Sequence, residues 1–456
     1  MYKKILIASL ALIAGLASCK KDDPTPSPNP PSGLTIDGVA STLEFYQLDT
    51  AHLSVAGVAK DAAAKAVWAV NGAKAAEGAT FDFTTAHPGK YEVTLTVDGK
   101  SAKHTYTVAP RFSEGAFLLN EGNFGNETGS LTYIHPSKML VIDQAYYRVN
   151  GTKLGNVCQD LAFGNDQVYI LSQLGPKNGG EGLLTIASSN SLEKVKVYND
   201  EALAQSTPTH IAVLRDHIYI RTERDGILRG SSEGGFTPIT GTKKALKQRM
   251  AQIGERIFAL TKDNKILMIQ GTQVVRELDL SPAKPSGIAV SHDGKLWVST
   301  TSPNAILKVD PTPDNFVALD THILDKSISA TGPESWQRTT SSAFFAHGDK
   351  LYFTGQSSVI YCHDFATSKT SQVIDVKTID GVGTSANKYY NSLDVDPSTG
   401  ELYYAAFEGY STYNKKNVTM VLKADGTKLL LKEKVNSFPA GFYFIPNAAS
   451  RTGANR

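Results

Sequence analysis

Acid–base chemistry needs a titratable group held against a nucleophile or a substrate proton, and this sequence scatters such groups without gathering them. His292–Asp293 and His347–Asp349 set imidazoles beside carboxylates, whereas His135, His210 and His322 stand far apart with no spacing that suits a metal. The carboxylates Glu121, Asp160, Glu334 and Glu408 can meet only through the fold. There is no His-Glu-x-x-His pair and no glycine-rich phosphate loop opening a helix. "DVDPSTGE" begins like a calcium loop but lacks the later, regularly spaced oxygen ligands.

A second chemistry is better represented. Phe124, Trp336, Tyr389, Tyr390, Tyr410 and Tyr413 fall in polar loop stretches together with Asn120, Glu121, Asn123, Gln159, Asp160 and Asn391. Flat rings offer contact area at small entropic cost, and amides and acids direct hydrogen bonds. The stretch "LNEGNFGNETGS", Leu119–Ser130, contributes Asn120, Glu121, Asn123 and Phe124, and Gly122 besides. Such a set points to non-covalent ligand binding, with no catalytic residue, no metal and no cofactor. The alternative is that the aromatic loops pack over themselves.

The elements that must position these residues repeat along the chain. "CQDLAFGNDQVYILS", "PTHIAVLRDHIYIRT", "KQRMAQIGERIFALT", "PSGIAVSHDGKLWVST", "SSAFFAHGDKLYFTG" and "YNSLDVDPSTGELYYAA" each read as an apolar strand, a polar turn and a second, aromatic-rich strand. Second strands begin near Phe117, Val168, Ile218, Ile257, Leu296, Leu351 and Leu402, a period of roughly 40–50 residues that signals a β-propeller. The first unit lacks a first strand, and "FPAGFYFIP" at Phe438–Pro446 is a first strand without a second. Pairing it with "GAFLLN" closes a ring of seven blades and removes both exposed edges.

That arrangement sorts the loops by face. The histidine–aspartate pairs and "DVDPSTGE" fall in equivalent hairpin turns, where polar turn chemistry accounts for them. At the other end, the loops leaving the second strands are long in blades one, two and seven, and the lead-in loops of blades six and seven are long as well. The extended loops therefore line one arc of one face. His210 is expected to line or plug the channel, His322 to lie in the blade-six lead-in loop, and His135 on the loop-rich face.

Bulk properties narrow the partners. A net charge of +2 without a long basic run gives no reason to expect nucleic acid. "MYKK" followed by "ILIASLALIAGLAS" has the charge and apolar length of a signal segment, too short for a comfortable membrane span. It ends in "LASC", which resembles a bacterial lipoprotein signal with Cys19 as the lipidated residue. "KKDD" resembles the surface-export tag of Bacteroidetes lipoproteins, and "PTPSPNPPSG" is a stiff extended spacer. Cys158 and Cys362 remain, too few for a disulfide framework and read as small buried residues.

Between the spacer and the repeats, "WAVNG" and "TFDFTTAHPGKYEVTLTVDGKSAKHTYTV" alternate at period two and indicate a small β-sandwich. Trp68, Phe81, Phe83 and "PGKYEVTLTV" resemble a PKD-type, immunoglobulin-like module, which implies a spacer or docking role. "GAFLLNEGNFGNETGSLTYIHPSKM", "GTKLGNVCQD" and "KYYNSLDVDPSTGELYYAA" are similar to the YncE-like surface propellers of Bacteroidetes, whose best understood members are the BtuG cobalamin-capturing lipoproteins. The resemblance implies capture of a corrinoid for a TonB-dependent transporter of the outer membrane. Carried over by position, it marks Asn120, Glu121, Gly122, Asn123 and Phe124 as binding residues. The PKD-like module departs from that pattern, and "LNEGNFG" identifies the family better than it identifies a substrate.

The expected organisation is all-β: a signal peptide over 1–18, lipidated Cys and spacer over 19–33, a PKD/Ig-like sandwich over 34–110, a seven-bladed propeller over 111–446 and a tail over 447–456. The protein is expected on the outer face of the outer membrane. A glycan- or protein-binding adhesin is the alternative function, and a lactonase or lyase the third.

Overall fold

The computed structural model describes residues 33–39, 44–326, 328, 344–355, 357–388 and 393–446. They form two compact units. In the N-terminal one, Thr35–Asp37, Thr50–Ala56 and Thr80–Thr84 make a three-stranded sheet. Lys100–Ala109, Gly89–Val97, Val67–Val70 and Ala73–Glu77 pair in that order in a second sheet. Leu53 and Phe83 of the first sheet and Trp68, Val93, Leu95 and Tyr106 of the second are buried. The Trp68 indole spends its N–H on the Gly78 carbonyl at 2.9 Å.

The second unit is a propeller-like ring. Among the described residues it holds seven four-stranded sheets, and the first strands of neighbouring sheets approach one another at the centre. Six blades are continuous in sequence. In blade one the inner strand Pro439–Phe444 comes from the far end of the chain and pairs antiparallel with Ala116–Asn120, Phe444 opposite Ala116 and Pro439 opposite Asn120. The closure expected from the sequence is therefore present. The strands read as continuous apolar runs because both of their faces are covered. Phe117 and Leu119 pack towards blade two, while Ala116 and Leu118 pack towards blade seven with Tyr403 and Val421. A buried cluster of this kind joins every consecutive pair of blades, including seven to one.

Hairpin turns occupy the end opposite the long loops, and their polar groups are used locally. Asp396 Oδ1 accepts from the Ser398 N–H at 2.8 Å and the Thr399 N–H at 3.3 Å, which accounts for "DVDPSTGE" as a turn. Ser291 Oγ accepts from the Lys295 N–H at 2.9 Å, and Lys308 neutralises Asp293. His347 Nδ1 lies 3.2 Å from the Pro397 carbonyl oxygen. These histidine–aspartate neighbours are turn furniture.

Two histidine expectations need correction. His135 ends the strand Ser130–His135, whose other end faces Asn120, so it lies at the hairpin end beside Glu114. His322 sits within the outer strand Ala318–Ile323 of blade five, its ring stacked on Phe365 at 3.6 Å. Strand pairing with Asn304–Val309 extends the blade beyond what the polar sequence "ALDTHI" advertises. His210 is fully buried on an inner strand, in keeping with its position at the start of a first strand.

Candidate functional site

The first-blade stretch takes its shape from the turn that leaves its strand. Gly122 turns the chain at φ +74°, and a Cβ there would run into the Thr128 carbonyl. Backbone bonds then stitch the loop at both sides. The Glu121 and Gly122 N–H groups donate to Phe438 and Ser437, the Cys158 N–H donates to the Glu121 carbonyl, and the Gly129 N–H donates to Gly155. A polar loop between two blades is thereby fixed rather than slack.

This stitching consumes several of the residues marked for binding. Asn120 is buried, its Oδ1 accepting from the Ser437 N–H at 3.0 Å and its Nδ2 donating to Ser130 Oγ at 3.2 Å. Gln159 is buried and donates to Glu121 Oε1 at 3.0 Å. Asp160, also buried, accepts from the Tyr443 hydroxyl at 2.7 Å and the Ile211 N–H at 2.9 Å. These four polar residues hold the loop and the inner strands. Their types suit a ligand equally well, so sequence alone places them at the surface.

The aromatic residues divide. Phe124 is 64% exposed and Tyr410 57%. Tyr413 is buried, stacked on Phe438 at 4.3 Å, with Tyr410 also close to parallel to Phe438 at 6.0 Å and Phe407 edge-on to it. Asn123 Nδ2 reaches the Tyr413 hydroxyl at 3.4 Å, tying the blade-one loop to the blade-seven loop. Burial and neighbouring Glu127 raise the Tyr413 hydroxyl, which stays a neutral donor. Glu408 is held ionised below the usual carboxylate range by Lys416 and Thr384. The result is a ledge: Phe407, Phe438 and Tyr413 form its base, and Tyr410 stands exposed on it. In the sequence Phe438 reads as the first residue of the closing strand, which conceals its place under these rings. Glu334, Trp336, Tyr389, Tyr390 and Asn391 lie outside the described residues.

Next to this ledge, with Glu127 shared between them, lies a pocket of about 400 Å³. Its walls are Asn120 and residues 126–131, Asp143 and Gln144 with Tyr146 and Tyr147 of the helix Ala145–Asn150, Lys153, Leu154, Asn178 of blade two, Asn414 of blade seven and residues 434–437. Asp143 Oδ1 accepts from Thr132 Oγ1 and the Gln144 N–H, and burial raises its carboxyl despite these bonds. Blades seven, one and two thus contribute together, on the arc where the long loops were expected.

The channel holds a charged group that no sequence pattern reveals. Arg249, just ahead of the blade-four inner strand, spans to three other blades. Its Nη1 lies 3.1 Å from Asp394 Oδ2, its Nε 3.4 Å from Asp160 Oδ1, and its Nη2 donates to the Phe442 carbonyl at 3.3 Å. The guanidinium also covers the Tyr443 ring at 4.1 Å. Two carboxylates face one cation, and burial pushes Asp394 up to about 7. The cluster pins four blades together across the channel.

Cys158 and Cys362 are free thiols, the first fully buried and the second partly so. Among the described residues, no group of three or more His, Cys, Asp or Glu side chains is placed to hold a metal. No described helix is long and apolar enough to cross a membrane.

Residues 114–446 match the model of a family described as a domain of unknown function, DUF5074. The chain belongs to this family. The DUF5074 span starts just before Ala116–Asn120 and ends just after Pro439–Phe444, so it takes in all seven blades and leaves the N-terminal sheets outside. No curated protein matches the chain. In structure, the chain is similar to a quinonprotein alcohol dehydrogenase-like protein from Bacteroides thetaiotaomicron, with a TM-score of 0.58 and 15% identity over 90% of this chain and 99% of that one. A protein from Lactobacillus plantarum is similar at a TM-score of 0.48 and 13% identity, over 73% of this chain and 99% of the other. Virginiamycin B lyase from Staphylococcus aureus is similar at 0.41 and 13%, over 63% and 90%. At these identities the first likeness speaks for the fold, and the other two carry no argument.

Proposed function

We propose that this DUF5074 protein is a lipid-anchored binding protein of the cell surface that captures a nutrient ligand without chemistry. The observation that carries the reading is the pair of exposed rings, Phe124 and Tyr410, on a stitched arc where blades seven, one and two meet. Exposed aromatic side chains grip ligands at low entropic cost, and Tyr410 stands on the packed rings of Phe407 and Phe438. The lipoprotein-like "LASC", the "KKDD" after it and the Pro-rich spacer support an anchor at Cys19 and a position held off the outer membrane.

A corrinoid such as cobalamin is the ligand we assign, and a TonB-dependent transporter the partner that receives it. Both rest on the resemblance of the first-blade motif to the BtuG lipoproteins. The N-terminal sheets serve as a PKD-like spacer in this reading. A role without catalysis is supported by the buried channel carboxylates, which are paired with Arg249 and Tyr443. The protein isolated from cells supplied with cobalamin should carry the ligand's colour, and Phe124→Ala with Tyr410→Ala should weaken binding more than tenfold. A colourless preparation that cannot be loaded with cobalamin contradicts the assignment.

A further inference from the structure

The blade-one pocket adjoins the aromatic ledge at Glu127, which neighbours Tyr413, but its walls have a different chemistry. Four charged side chains line it, Glu127 and Asp143 against Lys153 and Lys434, so its formal charges cancel. The remaining polar groups are mainly amides and hydroxyls, among them Asn126, Asn178 and Asn414. An amide both donates and accepts, which matches the alternating demands of neighbouring hydroxyl groups on one ligand. Tyr147 stands at the wall on its short helix, 46% exposed, and offers an apolar ring surface.

The geometry points to a second binding site, one that takes a short neutral saccharide in this pocket. The volume of about 400 Å³ sits near the lower end of the range of ligand pockets, room for about one or two sugar rings. A cation or an anion would meet one pair of like charges beside the opposite pair and gain no net attraction, whereas a neutral polyol meets donors and acceptors of both kinds. The Tyr147 ring supplies the flat face against which the C–H side of a pyranose packs. Glu127 is anchored by the Ser437 hydroxyl at 3.2 Å and Asp143 by Thr132 at 3.2 Å, so the acceptors are held in place before a ligand arrives.

The pocket adjoins the ledge, sharing Glu127 as a neighbour of Tyr413, and the test separates the two ligands. The lipid-free mature chain is titrated by ligand-observed NMR with glucose, galactose, N-acetylglucosamine and their β-linked disaccharides, and with glucuronate and glucosamine as charged comparisons. A neutral sugar should bind, and Tyr147→Ala should weaken it at least tenfold while Phe124→Ala leaves it unchanged. Asn178 has a left-handed backbone at φ +60°, so Asn178→Gly keeps the loop and should cost severalfold in affinity. The proposal is overturned if no sugar of the panel binds, if only a charged one does, if Tyr147→Ala and Asn178→Gly are both neutral, or if Phe124→Ala abolishes binding. Retained or lost cobalamin binding in the same preparations reports on the ledge alone.

Discussion

At the scale of single residues, the polar groups of the arc fall into two kinds that look alike in sequence. Asn120, Glu121, Gln159 and Asp160 are the same residue types as Asn126, Asn178 and Asn414 or their acidic counterparts, but the first set is buried in the stitching between inner strands, Asn120 while also lining the pocket. Which amide is spent on the fold depends on partners far away in sequence, such as Ser437 for Asn120, and no local pattern announces them. Arg249 is the extreme case. Removing it by Arg249→Ala leaves Asp160 and Asp394 buried together without their cation, and should cost about 3–5 kcal/mol in urea unfolding at neutral pH. The Asp394 carboxyl is raised to about 7 by burial, against about 4 in an unfolded chain. The folded form therefore keeps a proton that the unfolded form has lost between those values. The resulting stability is full below about pH 4 and is lost as pH rises through about 7, at up to about 1.4 kcal/mol per pH unit. Asp394→Asn should flatten that slope between pH 5 and 7, and a slope identical to the parent's contradicts the assignment. Cys158 offers a simpler check. Its thiol is fully buried and pushed up by that burial, so in a Cys362→Ser chain lacking Cys19 a thiol reagent at pH 8 should reach it only after unfolding, and rapid labelling of that native chain contradicts the burial.

Elements are far more legible. The spacing of apolar runs marks the blades because both faces of the inner and middle strands are largely covered, and a covered strand is apolar along most of its length. The unmatched strands at the two ends imply, from sequence alone, the closure between Pro439–Phe444 and Ala116–Asn120. The outer edge is the part that composition hides: Ala318–Ile323 is exposed and sets Asp320, Thr321 and His322 among apolar residues, so it reads as loop while its backbone pairs as strand. Closure also explains Gly441, which has φ +148° and sits where a Cβ would strike the Arg249 guanidinium. Gly441→Ala should destabilise the ring by about 1–3 kcal/mol, measured as a lowered urea midpoint with an unchanged slope. Deleting the closing strand leaves the Ala116–Asn120 edge open and removes Phe442 from the core shared with blade seven. Such a chain should aggregate or unfold without a cooperative transition, and a cooperative, monomeric truncation contradicts closure as the element that completes the ring.

At the scale of the whole molecule, the long loops meet because the ring brings blades seven, one and two side by side, although their loops come from opposite ends of the sequence. That convergence is what turns scattered rings and amides into an arc with a ledge and a pocket. The central claim is that the ledge captures a corrinoid, and calorimetric titration of the lipid-free mature chain with cyanocobalamin tests it most directly. The account predicts nanomolar or tighter binding, about −12 kcal/mol or better, weakened by Phe124→Ala. No heat of binding at several temperatures, with the chain folded, contradicts it.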